Sequence, residues 1–461
     1  MPQQPSANRR SLASLALSAP QGRSISDDRN NVALNDLRGG SCFAGVTMDH
    51  FRGRSVLLAT AAQLPTVLAA IELDGVARRI LLCTPDLAPH FSEIAAGAQV
   101  DAVASDQNDP QLASLGSSLI NVHSTVVSKG QPGIVRDVET EWVLFTSGTT
   151  GRPKMVAHSL SSLSGPLDDG VAVTSGAVWS TFYDIRRYGG LQILLRALIG
   201  GGSMVLSSPL ESVSDFLARL ATFGITHISG TPSHWRRALM SPLAGAIAPA
   251  YVRLSGEVAD QAILDRLRSR YPGANIAHAF ASTEAGVGFD VRDGLAGFPA
   301  SFLPHPNNNS TIEIRIEENT LRIRSSRTAT GYLGAELPAS GGFIDTGDIV
   351  MQRGDRYYFM GRKEGVINVG GQKVYPEEVE AVINRHPDVQ IARVWSRKNP
   401  ITGAIVAADV VLRAQPTGSF DVIRSDIVKT CRQAMPAYKV PATWRQVDKI
   451  EMTVSGKVYR A

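Results

Sequence analysis

The stretch Thr146-Ser147-Gly148-Thr149-Thr150-Gly151-Arg152-Pro153-Lys154 decides how this sequence is interpreted. It combines glycines, small hydroxyl side chains and a final lysine, and it follows the apolar run Trp142-Val143-Leu144-Phe145, which predicts a buried strand. Glycines let a backbone approach a phosphate closely, successive N–H groups can form an anion-binding concavity, and hydroxyls and an ammonium add donors. The stretch therefore predicts a phosphate-binding loop, residues 146–154, at the end of a rigid strand.

This loop differs from the Walker A phosphate loop, which requires G-x-x-x-x-G-K-[ST]. Here Gly148, Gly151 and Lys154 are three residues apart, and Pro153 argues against a helix start at this point. An ordinary polar turn is the alternative for a short cluster of Gly, Ser and Thr. Nine specified positions in one row favour the phosphate site over that turn.

Further motifs follow downstream in a fixed order. They are Ala281-Ser282-Thr283-Glu284, Asp345-Thr346-Gly347-Asp348, Gly361-Arg362-Lys363-Glu364 continuing to Gly370-Gly371-Gln372-Lys373, and Val454-Ser455-Gly456-Lys457. Together with the loop they resemble the signatures of the adenylate-forming superfamily, which includes acyl- and aryl-CoA ligases, amino-acid adenylation domains and luciferases. The resemblance runs from about residue 140 to the C-terminus. It implies an enzyme that joins a carboxylate to the α-phosphorus of ATP and expels pyrophosphate.

Length and composition set bounds on the fold and on the partners. A chain of 461 residues is too long for one hydrophobic core, so two or three domains are expected. The composition, 43% hydrophobic and 19% charged, is typical of a globular protein. The net charge of +4 is spread along the chain without a block of like charge, which argues against nucleic-acid or membrane binding.

Targeting signals and cysteines bear on the location. Arg9-Arg10 and the short apolar run after it imitate a secretion signal, but serines interrupt the run, so we expect a disordered start that leads into a helix. No stretch reaches the ~18 consecutive apolar residues of a membrane span. The three distant cysteines predict structural thiols in a reducing compartment. We therefore expect a cytoplasmic monomer or homodimer.

Helix and strand patterns alternate along most of the chain. Helices are predicted at residues 57–73, 213–221 and 259–270, and strands at residues 79–83, 225–228 and 275–280. This alternation predicts an α/β fold with parallel sheets. Alternating isoleucines and charges over residues 311–324 predict an antiparallel hairpin, the kind that builds the small β-barrel of the family.

Beyond residue 361 the pattern changes. A helix is expected to begin at Pro376 and another to span residues 419–435, with β-rich runs at residues 390–396 and 405–413 between them. The expected fold is thus α/β: a large N-terminal domain, residues 1–360, of parallel-rich sheets with helices and a small β-barrel, and a small mobile α+β C-terminal domain, residues 361–461. The region ahead of the loop is short for the family, so part of its N-terminal subdomain is expected to be trimmed.

The resemblance implies roles for the loop and for the motif that follows it. The loop would hold the β- and γ-phosphates of ATP through Thr146, Ser147, Gly148, Thr149, Thr150, Gly151 and Lys154. Thr283 would contact the α-phosphate, and Glu284, at the end of a predicted strand, would bind Mg²⁺, a hard cation that prefers oxygen ligands. A surface carboxylate is the alternative for Glu284. With Lys457, the residues Lys154, Thr283 and Glu284 are the predicted catalytic groups.

The resemblance also implies contacts to the nucleoside. Phe280 stands where the family usually has tyrosine, and it would stack on adenine without a hydroxyl to donate. Asp348 would accept both ribose hydroxyls, and Arg362 would reach the same ribose. An aspartate in T-G-D is otherwise a common turn residue. Its spacing before Gly361-Arg362 favours the nucleotide role.

Residues near the C-terminus would serve successive steps. The family's lysine that matches Lys457 bridges the carboxylate and the α-phosphate during adenylation, and a compact ammonium suits the charge that grows there. Glu364 occupies the hinge position, about which the small domain would rotate and present Gly370 and Gly371 to a pantetheine thiol. The alternative for Lys457 is a solvated charge, and a hydrogen-bonded turn is compatible with the role of the glycine pair.

The substrate pocket is expected along residues 181–190, 255–257 and 280–281. The predicted contacts are Tyr183, Asp184, Tyr188, Gly189, Ser255, Gly256, Glu257 and Ala281. Ala281 adds a methyl group where the family commonly has glycine, which suggests a compact substrate. Asp184 would either bind an α-amino group or pair with Arg186 or Arg187, and the pairing is favoured because no second acid for an amine is evident. For His234 a structural role is favoured over a substrate contact.

The leading hypothesis is an ATP- and Mg²⁺-dependent ligase that activates an aryl or small carboxylic acid and forms a thioester with coenzyme A. The nearest alternative is an adenylation enzyme that loads an amino or aryl acid onto the phosphopantetheine of a carrier protein. A non-catalytic nucleotide-binding or scaffold relative is the third. Retention of the charged residues Lys154, Glu284, Asp348, Arg362 and Lys457 argues against that third hypothesis.

Overall fold

The computed structural model describes residues 11–17, 22–116, 118–130, 133–147, 152–165, 176–303, 312–337, 339–453 and 456–459. The chain folds as two compact units. The first comprises residues 1–229, 281–287 and 326–338, and the second comprises residues 230–280, 288–325 and 339–461. The predicted C-terminal domain, residues 361–461, lies within the second unit, and the boundary at residue 360 stays a prediction.

The helices and strands in the described ranges are as follows. The helices are α1 Leu12–Leu17, α2 Gln63–Leu73, α3 Phe91–Ala98, α4 Pro110–Ala113, α5 Leu160–Ser164, α6 Tyr188–Ile199, α7 Val213–Thr222, α8 Pro232–Ala238, α9 Gln261–Arg270, α10 Pro376–Ile383 and α11 Phe420–Ala434. The strands are β1 Ser24–Ser26, β2 Asn31–Ala33, β3 Gly40–Ser41, β4 Ser55–Ala59, β5 Arg79–Cys83, β6 Ala102–Ser105, β7 Leu119–Asn121, β8 Ser128–Lys129, β9 Glu141–Ser147, β10 Pro153–Ser159, β11 Val178–Thr181, β12 Ser203–Val205, β13 His227–Gly230, β14 Tyr251–Ser255, β15 Asn275–Ser282, β16 Gly286–Val291, β17 Phe298–Pro299, β18 Ile312–Glu317, β19 Thr320–Ser325, β20 Gly331–Tyr332, β21 Ala339–Ser340, β22 Phe343–Arg353, β23 Arg356–Arg362, β24 Ile367–Val369, β25 Gln372–Val374, β26 Val389–Asn399, β27 Gly403–Leu412 and β28 Thr443–Gln446.

The first unit is built on two parallel-rich sheets. In one sheet the strand order is β20-β10-β9-β5-β4-β6-β7, with parallel pairing from β9 to β7 and antiparallel pairing of β10 with β9 and β20. In the other, β11 pairs in parallel with β12 and β13. Leu57, Leu81 and Val143 are fully buried in a core that also contains Ile94 of α3. The predicted α/β fold is confirmed.

The predicted helix at residues 57–73 is wrong for its first part. Ser55–Ala59 forms the strand β4, and the helix α2 begins at Gln63. Every residue of β4 is buried, because this parallel strand is covered on both faces. A strand of that kind shows a continuous apolar run, which periodicity does not distinguish from a buried helix.

The second unit contains the predicted hairpin and the C-terminal elements. Strands β18 and β19 pair antiparallel, joined by Glu318 and Asn319 with φ of 51° and 61°, and they continue the antiparallel sheet through β22 and β23 to β17. Near the C-terminus, β26, β27 and β28 form a three-stranded sheet whose core includes Val379 of α10 and Ile427 of α11. The helices and strands predicted there from the sequence are confirmed to within a few residues.

Two further sequence expectations have structural counterparts. Helix α1 at Leu12–Leu17 is the helix expected after a disordered start, and residues 1–10 of that start lie outside the described residues. Cys42, Cys83 and Cys431 are buried free thiols. None of the helices in the described ranges has the length and apolar character needed to cross a membrane.

Candidate active site

The predicted phosphate loop connects β9 to β10. The two strands pair antiparallel, with Thr146 opposite Lys154 and Ser147 opposite Pro153. Directly opposed residues of an antiparallel pair project from the same face, so the Thr146 hydroxyl and the Lys154 ammonium leave the sheet together. The Lys154 Nζ atom lies 5.4 Å from the centroid of the Tyr332 ring. The predicted contacts Gly148, Thr149, Thr150 and Gly151 lie outside the described residues, as does the side chain of Ser147.

Glu284 stands beside the ends of this loop. Its Oε1 atom accepts hydrogen bonds from the Thr146 hydroxyl and from the Tyr332 hydroxyl, each at 3.4 Å. Burial raises the pKa of the Tyr332 phenol, and the charge of Glu284 adds to this rise. The segment is held in place because Ala329 N–H donates to the Glu284 carbonyl at 2.9 Å. The structure thus brings Thr146, Lys154 and Glu284 together.

The surroundings of Glu284 fit a magnesium ion. The carboxylate is half-buried, and the oxygen atoms of Thr146 and Tyr332 lie next to it. Mg²⁺ is typically bound by one or two carboxylates together with substrate phosphates and waters, not by a cage of protein ligands. The described residues contain no group of three or more His, Cys, Asp and Glu that could hold a metal ion. The metal role of Glu284 stays a prediction.

Asp348 and Arg362 form the predicted nucleoside pair. They lie opposite each other on β22 and β23, and the Arg362 Nε atom is 3.4 Å from Asp348 Oδ1. Burial raises the pKa of the Asp348 carboxyl, and the charges of Arg362 and Lys457 act in the opposite direction. Both positive charges thus act on Asp348 within the second unit. The second unit thus brings Asp348, Arg362 and Lys457 together.

Phe280 stacks on other aromatic rings. Its ring lies 5.4 Å from that of Phe359 with an interplanar angle of 5°, and 5.7 Å from that of Phe289 with an angle of 23°. These stacking contacts hold the Phe280 ring in a fixed orientation. Its predicted stacking on adenine stays a prediction.

The predicted pocket stretch at residues 181–190 contains an ion pair. Arg186 Nε and Nη2 donate to the two carboxylate oxygens of Asp184 at 2.9 and 2.6 Å, and Arg186 Nη1 donates to the Thr60 carbonyl at 2.5 Å. Because Arg186 is only 1% exposed, this bidentate pair is sheltered from water. The pairing alternative for Asp184 is confirmed, and a contact with an α-amino group stays a prediction.

The other predicted pocket residues of the first unit are Tyr183, Tyr188, Gly189 and Ala281. The Tyr183 ring covers Gly189, where an added Cβ would be 3.7 Å from the tyrosine Cδ2 atom. Tyr188 is buried at the start of α6, and its ring lies 5.5 Å from that of His158. Ala281 is half-buried within β15. Their substrate contacts stay predictions.

In the second unit the stretch Ser255-Gly256-Glu257 begins at the last residue of β14. Gly256 has φ of +85°, and a Cβ there would lie 3.4 Å from the Cε atom of Lys457. Glu257 does not have a free carboxylate: Oε2 accepts from Ser233 N–H at 2.9 Å, and Oε1 accepts from Val458 N–H at 2.8 Å. These bonds account for Glu257 without a substrate, so its predicted substrate contact gains no support from the structure.

The hinge and glycine-pair residues occupy turns. Glu364 lies in the 3₁₀ turn Lys363–Gly365, directly after β23. Gly370 and Gly371 join β24 to β25 with φ of 55° and 85°, the backbone of a type I′ hairpin turn, which favours glycine. The Gly370 N–H donates to the Thr402 carbonyl at 3.0 Å. The hinge and the pantetheine channel stay predictions.

Two residues beside the loop were not predicted from the sequence. Tyr332 donates to Glu284, and His158 donates from Nε2 to the carbonyl of Thr283 at 2.8 Å. The only sequence signal for Tyr332 is its place in Gly331-Tyr332-Leu333-Gly334, where glycines mark a turn. A histidine inside an apolar strand, such as His158, gives no signal of what its ring nitrogens contact.

Comparison with protein-family models identifies the enzyme family to which this chain belongs. Residues 68–325 match the family model described as AMP-binding enzyme, and residues 378–457 match the AMP-binding enzyme C-terminal domain. The chain belongs to the AMP-binding enzyme family. This confirms the resemblance to the adenylate-forming superfamily.

Individual relatives within the family share about a quarter of their residues with this chain. The chain is 26% identical to the 2-succinylbenzoate–CoA ligase of Bacillus velezensis over 70% of its own length and 68% of the relative's. It is 27% identical to the human mitochondrial acyl-coenzyme A synthetase ACSM2A over 70% of its own length and 60% of the relative's.

Solved structures share the fold. The anthranilate CoA ligase AuaEII in complex with anthranoyl-AMP superposes with a TM-score of 0.80 at 18% identity, covering 97% of this chain and 95% of that one. The benzoate CoA ligase of Burkholderia xenovorans LB400 gives 0.78 at 19% identity, with 97% of each chain covered. The amide bond synthetase McbA of Marinactinospora thermotolerans gives 0.77 at 19% identity, also with 97% of each chain covered.

Proposed function

We propose that this protein is an AMP-forming acid–thiol ligase that activates a carboxylic acid with ATP and transfers the acyl group to coenzyme A. The observation that carries the proposal is the cluster of Thr146, Lys154 and Glu284 at the ends of the phosphate loop. A hydroxyl, an ammonium and a half-buried carboxylate are the groups that a nucleotide polyphosphate and its Mg²⁺ require. The names of the relatives, which are CoA ligases and acyl-CoA synthetases, support the same reaction.

In the first step a carboxylate oxygen attacks the α-phosphorus of ATP, and the bond to pyrophosphate breaks. Both reactants are anions, so the protein must orient them and neutralise charge, and no covalent nucleophile is needed. Lys154 would hold the departing phosphates, and Lys457 would stabilise charge at the α-phosphate. Asp348 and Arg362 would hold the ribose. Bound Mg²⁺ would polarise the phosphate oxygens.

In the second step the sulfur of a thiol attacks the acyl carbon, AMP leaves, and the thiol loses its proton. The small domain would rotate at Glu364 so that Lys457 withdraws and the Gly370-Gly371 turn comes to the thiol. A turn without side chains leaves room for a thin pantetheine arm. Coenzyme A is our proposed acceptor because the curated relatives are CoA ligases by name.

The substrate we propose is an aryl or small carboxylic acid without an α-amino group. Asp184 is the acid that could bind such an amine by the sequence analysis, and both of its oxygens accept hydrogen bonds from Arg186. Ala281 narrows the site relative to glycine. We place the enzyme in the reducing cytoplasm, in keeping with its three buried free thiols.

A pyrophosphate-release screen tests this function. Benzoate, 2-aminobenzoate, short and medium fatty acids and a set of amino acids would each be supplied with ATP and Mg²⁺, with and without coenzyme A. We expect an aryl or small acid to release pyrophosphate and to form a CoA thioester with one AMP per thioester, detected by mass spectrometry. Exchange without CoA turnover, together with acylation of a phosphopantetheinylated carrier protein, would favour the carrier-loading alternative. If no acid releases pyrophosphate and ATP causes no thermal shift, the protein is a non-catalytic relative.

A further inference from the structure

The turn that carries Lys457 is closed by its own backbone. Gly456 N–H donates to the Thr453 carbonyl at 2.8 Å, and Thr453 N–H donates to the Lys457 carbonyl at 2.7 Å. Gly456 has φ of +72°, a conformation that side-chain-bearing residues rarely adopt. We call Thr453 and residues 456–458 the terminal turn. These backbone bonds join its residues to each other but do not fix where the turn lies.

A threonine of the second unit anchors one side of the terminal turn. The Thr231 hydroxyl donates to the Gly456 carbonyl at 2.8 Å, and this bond is buried. The same oxygen accepts from His234 N–H at 3.0 Å, so Thr231 also caps the helix α8. A carbonyl oxygen has no proton to give, so the single hydroxyl proton of Thr231 belongs to the bond with Gly456.

A glutamate anchors the other side. One oxygen of the Glu257 carboxylate accepts from Val458 N–H at 2.8 Å, and the other accepts from Ser233 N–H at 2.9 Å. Ser233 lies in the first turn of α8, so Glu257 links this helix to the terminal turn. Both bonds are charge-assisted, which makes them stronger than bonds between neutral groups.

The His234 ring packs directly against Gly456 of the terminal turn. A Cβ atom built on Gly456 would overlap the ring, so only glycine allows this approach. Burial lowers the pKa of His234 to about 3, and the positive charge of Arg237 adds to this, so the ring is neutral near pH 7. A neutral ring beside the turn places no like charge next to the neighbouring lysine.

Lys457 lies between the two anchored residues. Gly456 is held through its carbonyl and Val458 through its amide, so both peptide groups that flank the Lys457 Cα are fixed. The lysine stem then passes Gly256, and the ammonium acts on Asp348. A lysine side chain has several rotatable bonds, and a fixed backbone reduces the entropy that is lost when its ammonium is aimed.

We propose that Thr231 and Glu257 are positioning residues: they anchor the terminal turn on α8 and thereby aim Lys457 at the reacting groups during adenylation. The proposal rests on the proposed function. It assigns Glu257 to the placement of a catalytic group and not to the substrate pocket. It also limits the role to the first half-reaction, because the terminal turn leaves this position if the small domain rotates.

The first test uses Glu257→Gln. Glutamine keeps one acceptor oxygen and replaces the other with a donor, so one of the two backbone amides loses its partner. Since a hydrogen bond to a charged group contributes enough for at least a tenfold effect, we expect kcat for pyrophosphate exchange to fall about tenfold. The KM for ATP and thioester formation from a supplied acyl-adenylate should stay within about twofold. Asp106→Asn is the matched control, because Asp106 also accepts one backbone N–H on each oxygen, from Ala61 and Ala62.

The second test uses Thr231→Val and Thr231→Ser. Valine keeps the shape and removes both the helix cap and the bond to Gly456, whereas serine keeps the hydroxyl. We expect the valine variant to lose adenylation about tenfold and the serine variant to restore it. Ser212→Ala removes an equivalent cap from α7, where Ser212 accepts from Asp215 N–H, and it controls for lost stability.

A measurement that does not depend on catalysis accompanies both tests. Hydrogen exchange of the C-terminal peptide, followed by mass spectrometry, should accelerate at Val458 in Glu257→Gln and stay at the wild-type rate in Asp106→Asn. If hydrogen exchange at Val458 accelerates while the rate of pyrophosphate exchange stays unchanged, the aiming role is overturned. If hydrogen exchange at Val458 stays at the wild-type rate in Glu257→Gln, the anchor itself is overturned. If the wild type adenylates no acid, the proposed function fails, while hydrogen exchange still decides whether the anchor exists.

Discussion

The ring of His158 donates a 2.8 Å hydrogen bond from Nε2 to the carbonyl of Thr283, and so connects the strand that leaves the phosphate loop to the residue before Glu284. Its Nδ1 atom lies 3.0 Å from the Ser162 hydroxyl. A carbonyl can only accept, so Nε2 carries the proton and Nδ1 is the unprotonated nitrogen of the ring. His158 is fully buried, and burial lowers its pKa to about 4. The neutral ring thus holds the Thr283-Glu284 backbone beside the loop.

The first prediction is that His158 makes the protein sensitive to acid. The unfolded side chain binds a proton near pH 6.5 and the folded one only near pH 4. Stability is therefore complete above pH 6.5 and is lost as the pH falls towards 4, by about 2 kcal/mol at pH 5. His158→Gln, which keeps a donor near the Nε2 position but does not titrate, should lose less stability between pH 7.5 and pH 5 than the wild type. Thermal unfolding midpoints at both pH values measure this, and parallel losses in the two proteins would contradict it.

The second prediction concerns Asp348 and the ribose. Asp348→Ala should weaken ATP binding by roughly ten- to a hundredfold, because buried hydrogen bonds to a charged group contribute about 1.5–3 kcal/mol. Isothermal titration with ATP is the measurement. Asp345→Ala is the control from the same motif, since Asp345 accepts from Gly347 N–H and faces Lys363. Equal affinities in the two variants would count against the ribose role.

The third prediction separates the two half-reactions. Lys457→Ala should lower pyrophosphate exchange by roughly two to three orders of magnitude, because it removes a charge that is aimed at the transition state. Thioester formation from a supplied acyl-adenylate should be spared, since the lysine would have turned away for that step. Lys449→Ala, at an exposed lysine of the same C-terminal region, is the control. Near-wild-type exchange in Lys457→Ala would remove this residue from the mechanism.

Local patterns in the sequence predicted much of the fold. Periodicity and turn residues predicted the amphipathic helix at Gln261–Arg270, the strand at Arg79–Cys83 and the hairpin around Glu318 and Asn319. The helix predicted at residues 57–59 was wrong because a strand that is buried on both faces has no alternation of apolar and polar residues. The motifs also predicted that Glu284 lies near the loop, although 138 residues separate it from Thr146.

Local patterns could not predict the side chains that hold the backbone near Glu284 and Lys457. His158 and Thr283 are 125 residues apart, and Thr231 and Gly456 are 225 apart. Each bond depends on how distant elements pack, and one residue of each pair looks ordinary in its local sequence. The sequence analysis predicts Glu257 as a residue of the substrate pocket. Only the structure shows that both of its oxygens accept backbone amides.

The last prediction tests domain alternation at the turn Lys363–Gly365. Proline at position 364 would force Lys363 out of its helical conformation, because a residue before proline avoids the α region. Position 363 accepts a proline with less strain. Arg362, the residue before it, is already extended with φ of −94° and ψ of 151°, as a residue before proline prefers. Lys363 is the first residue of the 3₁₀ turn, where proline is tolerated. Lys363→Pro should therefore retain the observed backbone and restrict its rotation.

We expect Lys363→Pro to fold normally and to keep most of its pyrophosphate exchange, while thioester formation falls at least tenfold. In the observed backbone the Lys457 stem lies beside Gly256 and its charge acts on Asp348, which is the arrangement that we propose for adenylation. Only the later step would then need the rotation. Lys363→Ala is the matched control, because it removes the same 3.4 Å pairing with Asp345 without fixing φ. If both half-reactions fall equally in Lys363→Pro, with circular dichroism unchanged, the rotation occurs elsewhere or the enzyme does not alternate.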